Sequence, residues 1–310
     1  MNKAFSFIVF YFFYVVVWFL SWFPFTILYA ISDIIIYPIV YYIIKYRIKV
    51  VRHNLIHSFP DKTTKELRTL ETQFYHHLCD YAVELIKLMH ISQKELDKRM
   101  QLPNIDLFYD QLNKGRNVIL VMGHYANWDW LNVLQRKLHP DTTMAVVYRP
   151  LNDVYFDRFF LHIRDLFNIY NIKKNSTLRE IIHLKQQQKP FIVAMVSDQS
   201  PSVNNLDYWT TFMHQDTAVL TGMSRIAKKM EYAVYYIDMQ QVKRGYYTST
   251  LSILAEDASK WTEEAISEAF IRRVEETIKR DPALYLWTHK RWKHRRTLAG
   301  EKQQKTSLSQ

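Results

Sequence analysis

The sequence predicts an α/β fold, a mostly parallel sheet flanked by helices, with an apolar membrane helix at its N-terminus. Two patterns support this fold. Short apolar runs alternate with amphipathic helical periodicity over most of the chain, which is typical of parallel sheets covered by helices. Before that, residues 4–44 are almost wholly apolar, and Asp33 is their only charged residue.

The apolar region consists of two stretches, residues 4–23 and 25–44, separated by Pro24. A bilayer core needs roughly 20 apolar residues in a helix, so the first stretch can span, and the second can either span or lie along the interface. The region is rich in Phe, Tyr and Trp and offers no small-residue cleavage site. We therefore expect it to be retained rather than removed as a signal peptide.

Four cations follow the apolar region directly: Lys45, Arg47, Lys49 and Arg52. By the positive-inside rule they place the rest of the chain in the cytoplasm, at the inner (cytoplasmic) membrane. Residues 1–50 are therefore predicted to be a membrane anchor, either one span plus an interfacial helix or a short hairpin. Residues 51–298 are predicted to form one globular domain, and the polar residues 299–310 a disordered tail.

Helical and strand signals alternate along the globular domain. Apolar residues spaced by three and four predict a long amphipathic helix from Leu67 to Leu88, and a capping box at Ser92 and Glu95 opens a shorter one. The pattern then predicts strands at 118–122, 143–148, 191–196, 233–239 and 246–254, and helices at 128–138, 154–167, 178–187, 218–229 and 266–278.

Charge and composition limit the function. The formal charge of +11 concentrates at residues 45–52 and 289–296 and predicts an acidic partner. Anionic lipid headgroups, phosphorylated glycolipids, an acidic carrier protein and nucleic acid all fit a basic surface. Only five glycines argue against Gly-rich phosphate loops, and the single cysteine, Cys79, excludes an intramolecular disulfide and cysteine-rich zinc sites.

A candidate site follows from the strand order. Ligands of parallel sheets gather beyond the carboxyl ends of the strands, so the loops at 123–129, 149–153 and 197–202 are expected to share a site. His124 lies at a strand-to-helix corner, and Asp129 at the helix start can reach back to the imidazole. This pair resembles a Ser-His-Asp triad without its serine, which suits acyl transfer to a substrate hydroxyl. The alternative is that Asp129 only complements the helix dipole.

Ordered blocks along nearly the whole chain resemble the bacterial lipid A biosynthesis late acyltransferases, the lauroyl and myristoyl transferases of the lysophospholipid acyltransferase superfamily. The blocks are Arg52-x-Asn54-Leu55, Phe59-Pro60, Glu84, Gly123-His124 through Asp129, Tyr148-Arg149-Pro150 with Asn152, Arg164, Asp198-Gln199, Phe212 with Ala218, and Tyr285 through Lys293. The resemblance implies a glycerolipid acyltransferase-like fold. It also implies transfer of a fatty acyl group from acyl carrier protein to a hydroxyl of a lipid A precursor, Kdo-lipid IVA, at the inner face of the inner membrane.

The resemblance also implies roles for single residues. His124 and Asp129 match the catalytic pair, and Arg149 and Arg164 stand where the family carries basic residues that hold substrate phosphate or stabilise the reacting centre. Asp198 and Gln199, which follow an apolar strand, are predicted to bind substrate, although Asp after a strand is also a common turn former. Asp129 replaces the more usual Glu, and two residues stand where Gly is expected: Ala126 and His214.

Other interpretations stay open. The acceptor could be another lipid, such as an aminolipid, a lysophospholipid or a glycolipid. A different class of function is a non-catalytic membrane-bound scaffold or nucleic-acid tether in which His124 is structural. Trp292 among the terminal cations could grip single-stranded nucleic acid, but a membrane-tethered chain argues against a nucleic-acid partner. No cofactor is expected, and the helical spacing of four polar residues is read as a helix face rather than a metal site: His76, His77, Asp80 and Glu84.

Overall fold

The computed structural model describes residues 3–296, without the side chains of residues 3–6, 8 and 9, so the predicted tail at 299–310 lies outside the described residues. Within these residues the strands are β1 (Met100–Gln101), β2 (Val118–Met122), β3 (Thr143–Tyr148), β4 (Tyr170–Lys173), β5 (Phe191–Val196), β6 (Tyr208–Phe212), β7 (Gln215–Val219), β8 (Ala233–Lys243) and β9 (Tyr246–Ala255).

Seven strands form one sheet in the order β1-β9-β8-β2-β5-β3-β4, and β6 and β7 form a separate hairpin. Among the described strands of the main sheet, β8 and β9 pair antiparallel and the other neighbours pair parallel. Every residue of β2 is buried, as expected for a central parallel strand covered on both faces. The predicted mostly parallel sheet is confirmed.

Helices cover the sheet. They are α1 (Lys3–Leu20), α2 (Phe25–Ile31), α3 (Ile48–Ser58), α4 (Thr64–Lys87), α5 (Gln93–Arg99), α6 (Tyr109–Leu112), α7 (Leu134–Lys137), α8 (Val154–Asp165), α9 (Thr177–Gln186), α10 (Gly222–Met230) and α11 (Glu263–Arg280). The long helix predicted from Leu67 to Leu88 is α4. It begins with a capping box, in which the Thr63 hydroxyl accepts from the Glu66 N–H and the Glu66 carboxylate accepts from the Thr63 N–H.

The hairpin β6–β7 is a departure from the sequence prediction, which had a helix over 218–229. Ala218 and Val219 belong to β7, and α10 begins only at Gly222. The turn between the two strands contains Met213 and His214, both with positive φ (50° and 63°). Hairpin turns of this kind are normally signalled by Gly or Asn, and neither is present here, so the sequence hides the turn.

The N-terminal apolar region folds back onto the domain. After α2, π-helical turns at Ser32–Ile36 and Ile39–Ile43 continue the helix. In the part of the chain that the structure describes, this helix, Phe25–Ile43, is long and apolar enough to cross a membrane by length and composition, whereas Phe10–Leu20 is a shorter apolar helix. Its outer face is exposed, with Ile34 at 74% and Ile43 at 73%. Residues 25–43 are called the apolar segment below.

Candidate active site

The site forms where two neighbouring parallel strands end. Met122 of β2 lies opposite Val196 of β5, and the Ser197 N–H donates to the Met122 carbonyl at 3.2 Å. Partners across these strands are 74 residues apart, and the same separation joins His124 to Asp198. The loop after β2 (residues 123–129, the His124 loop) and the loop after β5 (residues 197–201, the Asp198 loop) therefore meet side by side.

Asp198 holds the His124 ring and its backbone together. His124 Nδ1 lies 2.5 Å from Asp198 Oδ1, and the His124 backbone N–H donates to Oδ2 at 3.0 Å. The Asp198 side chain is 1% exposed, whereas that of His124 is 17% exposed. Burial by itself raises the pKa of Asp198, but the charge and hydrogen bonds of His124, with the Arg291 charge, outweigh it and lower the pKa below its ordinary value. The pair is a carboxylate and an imidazole with Nδ1 protonated.

Gly123 makes the double contact possible. A Cβ at this position would lie 3.3 Å from Val274 Cγ1 and 3.5 Å from Asp198 Oδ2. A side chain here would crowd α11 on one side and the carboxylate on the other. The glycine before the histidine thus gives the carboxylate room to approach the backbone of the His124 loop.

The other ring nitrogen of His124 faces the Asp198 loop. Gln199 Nε2 lies 3.2 Å from His124 Nε2 and donates to its lone pair, because Nδ1 carries the proton. The Trp128 indole packs edge-on against the imidazole, with ring centroids 5.2 Å apart. A substrate hydroxyl that displaced the Gln199 amide would reach a neutral imidazole nitrogen, the geometry that a general base requires.

Asp129 is not where the sequence predicted it. The Tyr81 hydroxyl of α4 donates to Asp129 Oδ2, and within residues 3–296 no hydrogen bond or ion pair joins Asp129 to His124. The reason is local. Ala126 has a positive φ of 50°, and Trp128 opens a 3-10 turn, so the chain turns the Asp129 carboxylate toward α4. The expected hydrogen bond to the imidazole is made by Asp198 instead, whose carboxylate is buried behind His124.

A comparison with known families decides the identity. The sequence model of the bacterial lipid A biosynthesis acyltransferase family matches residues 2–294. The chain belongs to this family. No curated protein matches the chain. The chain is therefore an acyltransferase that acts in lipid A biosynthesis and is associated with the membrane, and the match covers the His124 loop, the Asp198 loop and the apolar segment.

The two arginines predicted to bind substrate lie on the neighbouring part of the acyltransferase. Arg149 follows β3 and is exposed. Arg164 is half-buried on α8, with its guanidinium 5.2 Å from the Tyr148 ring centroid. Within residues 3–296 neither arginine forms a salt bridge, and neither is hydrogen-bonded to His124. Their charges remain free for an anionic group.

Residues 282–294, called the closing segment, contact both loops of the site. The sequence marked Tyr285 through Lys293 as part of the resemblance and 289–296 as basic, but it did not predict these contacts. The Leu286 N–H donates to the His124 carbonyl at 3.0 Å, and the Ala126 N–H donates to the Leu284 carbonyl at 2.9 Å. The Ser200 N–H donates to His289 Nε2 at 3.1 Å. Burial lowers the pKa of His289 to about 4, which keeps this ring neutral and able to accept. The closing segment therefore holds both loops of the site.

An apolar crevice adjoins the imidazole on the α4 side. It is lined by Phe74, Leu78, Tyr81, Trp128, Leu284 and Leu286, together with His77 and Tyr285. Tyr81 and Trp128 stack, with ring centroids 4.5 Å apart. These side chains form a closely packed apolar wall on the α4 side of the imidazole.

Proposed function

We propose that this acyltransferase moves a fatty acyl group from an acyl carrier protein thioester to a hydroxyl of Kdo-lipid IVA at the cytoplasmic face of the inner membrane. The observation that carries the proposal is the His124 ring, which is fixed by a buried carboxylate at Nδ1 and reachable at Nε2. Its place in a lipid A biosynthesis acyltransferase supports a lipid hydroxyl as the group that it deprotonates.

The chemistry follows from this arrangement. His124 Nε2 takes the proton from the acceptor hydroxyl while its oxygen attacks the thioester carbonyl. The tetrahedral intermediate then collapses, the carbon–sulfur bond breaks, and the imidazolium returns the proton to the departing thiolate. The products are an ester on the lipid and the free carrier thiol. Asp198 stabilises the imidazolium between the two proton transfers and keeps the reactive tautomer.

The remaining predicted residues take supporting roles in this proposal. Gln199, once displaced from Nε2, has an amide N–H in reach of the reacting carbonyl and can stabilise the oxyanion. Arg149 and Arg164 bind phosphate groups of the acceptor. Asp129 remains a residue of the site, where it accepts from Tyr81 and sets the wall of the crevice rather than the orientation of the imidazole.

The membrane side of the molecule is proposed from its exposed apolar surface. Phe12, Phe19 and Trp22 of the first stretch are exposed, as are Ile34 and Ile43 of the apolar segment. The opposite face of the apolar segment is hydrogen-bonded along α4, so we infer that it lies in the interface rather than crossing the bilayer. Residues 1–50 then form the membrane anchor and residues 51–298 the acyltransferase domain.

The two basic runs meet beside the site. Arg47 Nη1 donates to the Thr288 carbonyl at 3.0 Å, and Asn54 Nδ2 donates to the Trp287 and His289 carbonyls at 2.8 and 2.9 Å. These bonds bring the cations of 45–52 and those of 289–296 to one surface. Such a surface suits an acidic carrier protein that arrives from the cytoplasm at a membrane-seated enzyme.

The test uses the purified full-length acyltransferase, acyl carrier thioesters and the tetra-acylated Kdo-bearing precursor, with mass spectrometry of the lipid product. We expect a gain of one acyl chain by the wild type and no gain by His124→Ala. Parallel reactions with a lysophospholipid and an aminolipid separate the acceptor classes. If only those lipids were acylated, one of them and not Kdo-lipid IVA would be the acceptor. Undiminished transfer by His124→Ala would show that His124 is not the base.

A further inference from the structure

Helix α4 lies between the apolar segment and the His124 loop. On the loop side, His77 Nε2 donates to the Ala126 carbonyl at 3.3 Å, and Trp130 Nε1 donates to the Glu84 carbonyl at 3.2 Å. The Tyr81 bond to Asp129 completes this row. Positions 77, 81 and 84 share one face of a helix, so α4 contacts the second half of the loop and Trp130, which follows it.

On the other side, α4 carries a row of buried carboxylates that accept hydroxyl groups from the apolar segment. Tyr29 donates to Glu84 at 2.7 Å, Ser32 donates to Asp80 at 2.8 Å, and Tyr41 donates to Glu71 at 2.7 Å. The numbers rise along the segment as they fall along α4, so the two helices run antiparallel. The apolar segment is thus joined to α4 at regular intervals.

Glu84 is the place where the two rows join. Its Oε1 accepts from Tyr29, and its Oε2 accepts from Asn127 Nδ2 at 2.7 Å and from the Tyr247 hydroxyl at 2.8 Å. Asn127 is fully buried in the His124 loop, and its Oδ1 has no partner within residues 3–296. The orientation of the Asn127 amide therefore depends on Glu84.

An acidic side chain at position 84 destabilises the fold, so filling space in the core does not explain why it is there. The side chain is 0% exposed, and the groups that hydrogen-bond to it are neutral. Burial raises the pKa of Glu84 to about 7 despite these hydrogen bonds. A buried acid of this kind is less stable than an apolar side chain of similar size, whereas its two oxygens can hold three donors in a fixed arrangement.

We propose that Glu84 is a positioning residue that links the seating of the apolar segment in the membrane to the conformation of the His124 loop. The inference rests on the proposed function of His124. When the exposed apolar face lies in a bilayer, the apolar segment holds Tyr29 in place, and the Tyr29 hydroxyl holds Oε1 of Glu84. Oε2 of Glu84 then holds Asn127 and with it the His124 loop. Away from the membrane the apolar segment moves, Glu84 loses one of its three donors, and the loop relaxes.

The structure offers a matched pair of variants. Tyr29→Phe and Tyr41→Phe each remove one hydroxyl from the apolar segment, and each hydroxyl donates to a buried α4 carboxylate at 2.7 Å. Glu71, the acceptor of Tyr41, is also held by Arg52 at 2.7 Å. Within residues 3–296 it makes no hydrogen bond to the His124 loop. Only Tyr29→Phe removes a donor from the residue that holds Asn127.

The first measurement does not depend on activity. Amide hydrogen exchange of residues 123–131 is followed in full-length protein, in vesicles of phosphatidylethanolamine and phosphatidylglycerol and in detergent micelles. We expect Tyr29→Phe to raise loop exchange in vesicles roughly tenfold, and Tyr41→Phe to leave it unchanged. Glu84→Gln should restore near-normal exchange, because its oxygen can face Asn127 and Tyr247 while its amide donates to Tyr29. Glu84→Leu should not.

The second measurement is the steady-state rate of acyl transfer in the same vesicles. Tyr29→Phe should lower kcat roughly fivefold with KM unchanged, and Tyr41→Phe should not. Equal effects of the two variants, or no effect of either, on loop exchange would overturn the proposal. If Tyr29→Phe raised loop exchange and Tyr41→Phe did not, but the wild type acylated no acceptor, the role of Glu84 would be supported and the proposed function refuted. If the wild type transferred acyl groups but the two variants did not differ in loop exchange, the proposed function would be supported and the role of Glu84 refuted.

Discussion

The His124 loop and the Asp198 loop follow neighbouring parallel strands, and the closing segment contacts both, but the His124 loop has a second support in helix α4. The Asp198 loop is held by the closing segment, where the Ser200 hydroxyl donates to the Lys290 carbonyl at 3.2 Å and His294 donates to the Pro201 carbonyl at 2.9 Å. The His124–Asp198 pair, which we propose to be catalytic, is assembled from both loops. In a parallel sheet, a carboxylate on the adjacent strand can be closer to a histidine than one five residues further along its own loop.

The largest expected effect compares the two carboxylates. Asp198→Asn should lower kcat roughly a thousandfold or more, because the amide favours the wrong imidazole tautomer and cannot stabilise the imidazolium. Asp129→Asn should cost roughly tenfold, since the amide oxygen still accepts from Tyr81. Single-turnover acyl transfer at saturating donor measures both. If Asp129→Asn had the larger effect, the pairing seen here would not be the catalytic one.

A second prediction concerns the support of the His124 loop. The pKa of Glu84 is raised from 4.5 to about 7, so folding favours its neutral form. Ionising Glu84 lowers the free energy of unfolding. This loss is absent below pH 4.5 and grows as the pH rises toward 7. Relative to Glu84→Gln, the wild type should lose about 3 kcal/mol of unfolding free energy over this interval. Urea unfolding in micelles at both pH values gives the difference, and a pH-independent difference would contradict it.

The support of the Asp198 loop should respond to pH in the opposite direction. His289 has a pKa lowered from 6.5 to about 4 by burial, and its neutral ring accepts from Ser200. Its contribution to stability is full above pH 6.5 and is lost as the pH falls toward 4. Between pH 7.5 and pH 5 the wild type should lose about 2 kcal/mol more than His289→Gln. The same unfolding assay applies, and a loss of equal size in both proteins would show that His289 is not the titrating group.

The smallest effect concerns backbone strain in the His124 loop. Ala126 has a φ of 50°, a conformation that costs an L-residue roughly 1 kcal/mol or more and glycine little. Ala126→Gly should therefore raise the free energy of unfolding by about 0.5 kcal/mol, after the greater freedom of glycine in the unfolded chain is subtracted. His214→Gly, at a φ of 63° in the β6–β7 turn, is the control outside the site. Thermal unfolding compares the two, and destabilisation of both would refute the strain argument.

Buried strands could be located from the sequence, whereas the contacts between distant strands could not. Apolar runs located β2, β3, β5, β8 and β9, because buried strands have a strong local signature. The resemblance also indicated Gly at Ala126 and His214, and both adopt positive φ. Local patterns do not reveal the register between β2 and β5, which are far apart in sequence. Once the strand ends are paired, counting two residues beyond each end leads to His124 and Asp198.

Other features were hidden for physical reasons. Asp129 has the right charge at a plausible spacing, but the turn geometry at Ala126 and Trp128 that redirects it has no sequence signal. The sequence marked Tyr285 through Lys293 as part of the resemblance but did not predict its contacts, because the closing segment follows every strand and reaches both loops mainly through its backbone. The length and apolar composition of the apolar segment could be read from the sequence, but its hydroxyl bonds to α4 depend on tertiary packing.

The position of the closing segment has a consequence for biosynthesis. The ribosome makes the apolar segment first, so it can enter the membrane while the sheet is still being translated. The backbone bonds from Leu284 and Leu286 to the His124 loop can form only after residues 282–294 have left the exit tunnel. The catalytic centre that we propose can therefore be completed only after the apolar segment has been synthesised and is available to the membrane.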